Sequence, residues 1–113
     1  MLDLNPLTEF DFYPTLAQTP GPCLVLFSSP TCGTCRSVEK RLPQAAAGLA
    51  TALFKVDVQQ SMGLARAYEV FHLPSLFLFV DGAFHAALPC EISADKLQHA
   101  VDAALALPAE EEP

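Results

Sequence analysis

The chain has 113 residues, 51% of them apolar, which suits one domain with a single core and leaves too little chain for two. Thirteen acidic residues against six basic give a net charge of −7, a surface that repels phosphate backbones and anionic lipid headgroups and so argues against nucleic-acid and membrane-surface partners. No apolar stretch approaches the ~20 residues of a spanning helix, and no basic segment precedes a long apolar run at the N-terminus, so a cytoplasmic location is expected.

In chain order, Leu2 to Leu4 is a candidate first strand and Phe10 to Gln18 a first helix, weakened by Pro14. Thr19-Pro20-Gly21-Pro22 is a turn, and the apolar run Cys23 to Ser28 after it has the character of a strand buried on both faces, central in its sheet. From Cys32 onward Cys35, Val38, Leu42, Ala45, Ala46 and Leu49 recur at helical spacing, with Pro43 expected to bend or interrupt that helix. Leu53 to Val58 returns to strand, Ser61 to Tyr68 is a short helix, and Leu76 to Val80 is another apolar strand. Asp81-Gly82 is a hairpin turn leading into an antiparallel edge strand in which Phe84, Ala86 and Leu88 alternate with Ala83, His85 and Ala87. Ser93 caps a last helix whose stripe is Leu97, Ala100, Val101, Ala104 and Leu105, ending before Pro108. The expected order is β-α-β-α-β-α-β-β-α, an α/β fold with a central mixed sheet and helices on both faces. One domain over residues 1–107 is followed by an acidic tail over 108–113, where Glu110, Glu111 and Glu112 suit a solvated, disordered end.

Four cysteines in a reducing cytoplasm point to catalytic, free or metal-bound sulfur rather than structural disulfides. Cys32-Gly33-Thr34-Cys35 follows a buried strand and opens a helix, where unpaired backbone amides and the helix dipole favour a thiolate. A thiolate is the attacking species in disulfide exchange, and a second sulfur nearby can displace the first from a mixed disulfide. The alternative is a zinc site using Cys32 and Cys35 with Cys90 or a histidine, although no second Cys-x-x-Cys completes a cage. Cys23 suits a small buried hydrophobe; His85 and His99 suit surface positions on a strand and a helix.

The chain resembles the thioredoxin family over nearly its whole length, through Cys32-Gly33-Thr34-Cys35 and through the stretch from Tyr68 to Gly82 that carries Leu73-Pro74 ahead of a strand and hairpin. The resemblance implies a thioredoxin fold and a thiol-disulfide oxidoreductase in which Cys32 is the nucleophile, Cys35 the resolving thiol and Pro74 a cis-proline. Leu73, before that proline, would pair with an extended substrate peptide, and Thr31, Gly33, Thr34 and Cys90 would border the same docking surface. Lys55 would lie near the cysteine pair and favour thiolate charge, its alternative being an ordinary exposed strand lysine. His72, two residues before Pro74, would add a titrating group near the thiols. The chain departs from the family at three places. Leu26 stands where thioredoxins carry a buried aspartate that takes the resolving thiol's proton, Thr31 replaces a tryptophan, and Thr34 replaces the motif's proline.

The implied partners are disulfide-containing proteins and a reductant such as a thioredoxin reductase or glutathione, with no organic cofactor or metal required and a monomer expected. A second reading remains open, in which the fold is an interaction or assembly module whose dithiol senses redox state or is inactive.

Overall fold

In the computed structural model, which describes residues 2–113, the longest apolar runs of the chain lie in the middle of the sheet. Five strands, β1 (Leu4–Leu7), β2 (Pro22–Ser28), β3 (Ala52–Asp57), β4 (Ser75–Val80) and β5 (Ala83–Ala87), are ordered β1-β3-β2-β4-β5. β2 runs parallel to β3 and antiparallel to β4, and from Cys23 to Ser28 every residue is buried, as a strand covered on both faces requires. Four helices, α1 (Phe12–Ala17), α2 (Gly33–Ala45), α3 (Met62–Ala67) and α4 (Ala94–Leu105), complete the β-α-β-α-β-α-β-β-α order expected from the sequence.

Alternation along the strands divides the core between the two sheet faces. One face gathers Cys23, Val25, Phe27, Phe77 and Phe79 with Phe12 and Leu16 of α1 and Tyr68 after α3. The other gathers Leu24, Leu26, Leu53, Leu76 and Leu78 with Val38 and Leu42 of α2 and Leu97 and Val101 of α4. Tyr68 sits within 6.0 Å, centroid to centroid, of Phe12, Phe27, Phe77, Phe79 and Phe84, an aromatic cluster that is stacked at Phe84 and tilted or edge-on at the others.

Several local expectations shift, each for an identifiable reason. β1 is Leu4–Leu7 rather than Leu2 to Leu4 and includes Pro6, tolerated because β1 is an edge strand paired only with β3. Pro14 is the third residue of α1, where an N–H would lack an intrahelical acceptor anyway, so the proline fits. Pro43 stands near the end of α2, which stops two residues later at Ala45. The Asp81-Gly82 turn has positive φ at both positions (52° and 83°), the pair of values that a two-residue type I′ hairpin needs. A bulge after it offsets the ladder, pairing Leu78 with Ala86 but Phe79 with Phe84, and so breaks the simple alternation. Phe84 therefore joins the aromatic face while Leu88 joins the opposite one. Ser93 caps α4 through its hydroxyl, but Leu105, expected in the buried stripe, is exposed at the helix end.

The acidic tail also differs from the solvated end expected of it. Its residues are exposed, yet the Glu110 N–H donates to the His85 carbonyl (2.7 Å) and the Glu110 carboxylate accepts from the Ala87 N–H (3.0 Å). These bonds satisfy backbone groups on the outer side of β5, an edge that would otherwise stay open. The tail then reaches Tyr68, whose hydroxyl donates to Glu112 (2.9 Å). His85, expected on the surface, is half-buried and its ring nitrogen lies 2.7 Å from the Ala104 carbonyl, joining β5 to α4.

Candidate active site

The loop between β2 and α2 is held by its own small polar residues. Ser29 Oγ lies 3.0 Å from Thr31 Oγ1, and the Gln59 amide donates to both hydroxyls (3.0 and 3.3 Å). The Cys32 N–H donates to the Ser29 carbonyl (3.1 Å) and the Arg36 guanidinium to the Pro30 carbonyl (2.9 Å). Thr31 thus acts as a loop anchor, a structural use of the position where the resemblance implied a docking contact. The Gln59 link was not legible in the sequence, because a glutamine between a strand and a short helix carries no distinguishing pattern.

Cys32 occupies the N-cap of α2, and its sulfur accepts from the Cys35 N–H at 3.1 Å, one of the amides that a helix start leaves unpaired. An amide and the positive helix end directed at Sγ favour charge on that sulfur when the dithiol is reduced. Cys32 and Cys35 are joined as a disulfide with Cα atoms 5.2 Å apart. Cys32 is partly exposed and Cys35 fully buried, so an incoming partner can reach only the first sulfur. A Cβ on Gly33 would meet nothing within 4 Å, which leaves open space beside the disulfide.

A groove of about 920 Å³ runs alongside, lined by Thr34, Phe71, His72, Pro74, Cys90 and Ile92 among others. The Leu73–Pro74 bond is cis. Among the described residues neither the N–H nor the C=O of Leu73 has a backbone or side-chain partner, so both can pair with an extended peptide. Phe71 is 82% exposed, an aromatic face presented to whatever occupies the groove. Cys90, expected near this surface, is half-buried in the groove wall and burial pushes its thiol up from the ordinary value. Cys23 lies fully buried in the core, as expected, with its thiol pushed up to about 11 by desolvation. The exposed His99 lies on α4, outside the residues that line the groove.

Lys55 is neither an ordinary exposed strand lysine nor a free charge beside the sulfurs. Its Nζ is 2.9 Å from Glu39 Oε1, in an ion pair that joins β3 to α2 and leaves both side chains partly covered. Glu39 was not singled out in the sequence, where a glutamate between Val38 and Lys40 resembles any solvated helix residue. Its spacing of four from Cys35 is the one signal that could have marked it. Among the described residues no group of three or more His, Cys, Asp or Glu side chains is close enough to hold a metal ion, and no helix is long and apolar enough to cross a membrane.

The thioredoxin family model matches residues 3–103. Thioredoxin from Mycolicibacterium smegmatis is 33% identical over 81 residues, covering 68% of this chain and 72% of that protein. Protein disulfide isomerase-like 1-3 from Arabidopsis thaliana is 42% identical over 62 residues, 52% of this chain; the aligned part is only 10% of the isomerase's own length. Among solved structures, chloroplastic thioredoxin z superposes with a TM-score of 0.75 at 20% identity, covering 95% of this chain and 98% of that one, a likeness of fold.

Proposed function

Since this chain belongs to the thioredoxin family, we propose that it exchanges its Cys32/Cys35 dithiol with disulfides of protein substrates. Thiol-disulfide oxidoreduction is the chemistry of its thioredoxin and disulfide-isomerase relatives. The observation that carries the reading is the asymmetry of the pair, with Cys32 partly exposed at a helix N-cap and Cys35 buried behind it.

In the proposed cycle the Cys32 thiolate attacks one sulfur of a substrate disulfide, and the other substrate sulfur leaves as a thiolate. A mixed disulfide then joins the two proteins. Cys35, once deprotonated, attacks Cys32 Sγ, forming the intramolecular disulfide and releasing the second substrate sulfur. The substrate gains two electrons that the dithiol loses, and a reductase or glutathione restores the dithiol. While the mixed disulfide lasts, the unpaired backbone of Leu73 would hold the substrate strand against the groove, with Thr34, Pro74 and Cys90 along its wall. No metal or organic cofactor takes part. The same proposal places a monomer in a reducing compartment such as the cytoplasm, consistent with two unpaired cysteines, Cys23 and Cys90.

The test is reduction of insulin disulfides with dithiothreitol as electron source. Wild type should accelerate the reaction and Cys32→Ser should not. Equal rates would leave the fold as an interaction module with an idle or sensing dithiol.

A further inference from the structure

For Cys35 to resolve the mixed disulfide its buried thiol must lose a proton, and burial opposes that loss, as it does at Cys23. The strand beneath supplies no acceptor, because Leu26 is apolar and 1% exposed. The helix above does supply one. Cys35, Val38, Glu39 and Leu42 follow one another along the inward stripe of α2, and the spacing of four puts Glu39 a single turn from Cys35 on the same side.

What holds Glu39 there is Lys55, the register neighbour of Leu26 across the β2–β3 pair. Leu26, Leu24 and Leu53 all face α2, and Lys55, two residues beyond Leu53, faces the same way. The Lys55–Glu39 bond therefore ties the carboxylate to β3 on the face of the sheet that α2 covers. Glu39 and Lys55 also line an open cleft of about 370 Å³ with Ser28, Ser29, Arg36 and Asp57, through which the carboxylate can exchange protons with solvent. The charged groups lining the cleft with Glu39 are thus Lys55 and Asp57 from β3 and Arg36 from its own helix; β2 contributes only Ser28, the loop after it Ser29 and Pro30, and β1 only Pro6 and Leu7.

We infer that Glu39 is the proton acceptor for Cys35, one helical turn away on the same side of α2 and positioned by Lys55. The inference rests on the oxidoreductase reading and supplies its missing base from the helix rather than the strand. The Cys35 S–H proton passes to the Glu39 carboxylate, and the thiolate's electron pair forms the bond to Cys32 Sγ. The mixed disulfide bond breaks with its electrons on the substrate sulfur, and Glu39 later returns its proton to solvent.

Stopped-flow reaction of the reduced protein with a nitrobenzoate disulfide separates the steps, since the coloured thiolate is released once by Cys32 attack and again by Cys35 resolution. A Cys35→Ser control identifies the second phase by its loss. Near neutral pH the second phase should slow about a hundredfold in Glu39→Gln while the first is kept. The residual rate in that variant should rise in proportion to hydroxide, and Glu39→Asp should recover the wild-type pH profile in part. A Glu39→Gln profile that matches wild type in rate and shape would overturn the inference, as would a lowered melting temperature with no change in that profile. A wild type lacking the first phase would instead overturn the oxidoreductase reading itself.

Discussion

Leu26→Asp, combined with Glu39→Gln, measures whether residues 26 and 39 compete for one lysine. Leu26 is 1% exposed and packed with Val38, Leu53 and Leu76 on the α2 face of the sheet. Removing its buried apolar surface costs about 1.5–3 kcal/mol. Placing a carboxyl there adds about 1–3 kcal/mol where no hydrogen-bond partner is free. The sum, roughly 2.5–6 kcal/mol, is a large part of the 5–15 kcal/mol that a domain of this kind has in total. Lys55 lies beside Leu26 on the next strand, but its ammonium is already bound to Glu39 at 2.9 Å. In Glu39→Gln that ammonium is released, so the same Leu26→Asp change should cost about 1–3 kcal/mol less. Urea unfolding of the four oxidised proteins at neutral pH gives the coupling, with Leu26→Asn as a control whose cost should not depend on residue 39. Additivity within about 0.5 kcal/mol would show that the two positions do not share Lys55, and would remove the geometric basis for a carboxylate relocated from strand to helix.

Three further outcomes follow from other parts of the molecule. Burial raises the Cys23 thiol from 9.0 to about 11, so the folded chain keeps a proton that the unfolded chain loses above pH 9.0. Stability present below pH 9.0 should therefore fall by about 2–3 kcal/mol as pH rises to about 11, and denaturation of Cys23→Val against pH should show a flatter alkaline limb; an identical limb would assign the loss to other groups. Gly82→Ala forces a side chain onto a φ of +83° and puts its Cβ 2.8 Å from the Leu16 carbonyl oxygen, so a loss of about 1–3 kcal/mol is expected by chemical denaturation, and a neutral result would contradict the turn geometry. Glu110→Ala removes the acceptor of the Ala87 N–H, and hydrogen exchange at that amide should quicken while the global stability falls by about 1 kcal/mol or less; unchanged protection would show that the tail does not cover β5.

The signals that made the fold legible were strong local ones. The unbroken run from Cys23 to Ser28 marked a central strand, and Asp81-Gly82 marked the hairpin, because few other residues accept positive φ twice in succession. The features that escaped depend on contacts between distant segments. Nothing local in Ala83 to Leu88 announces a bulge, so plain alternation assigned Phe84 and Leu88 to one face when they occupy two. A run of glutamates after Pro108 has the composition of a disordered end, and only the open edge of β5 and the hydroxyl of Tyr68 give it bonding partners. At the site, the Cys-Gly-Thr-Cys spacing and Leu73-Pro74 could be read directly. Glu39 could not, since its distinction lies in Lys55 reaching it from a strand sixteen residues away.

The most direct measurement of thiol-disulfide exchange through Cys32 is to trap its intermediate. The Cys35→Ser variant, reduced and then mixed with a disulfide-containing protein such as insulin, should accumulate a covalent adduct, and peptide mass spectrometry should place the bond on Cys32. Wild type should pass through the same adduct without accumulating it, because Cys35 resolves it. An adduct attached through Cys90 or Cys23, or no adduct under conditions where the disulfide partner is accessible, would contradict the account.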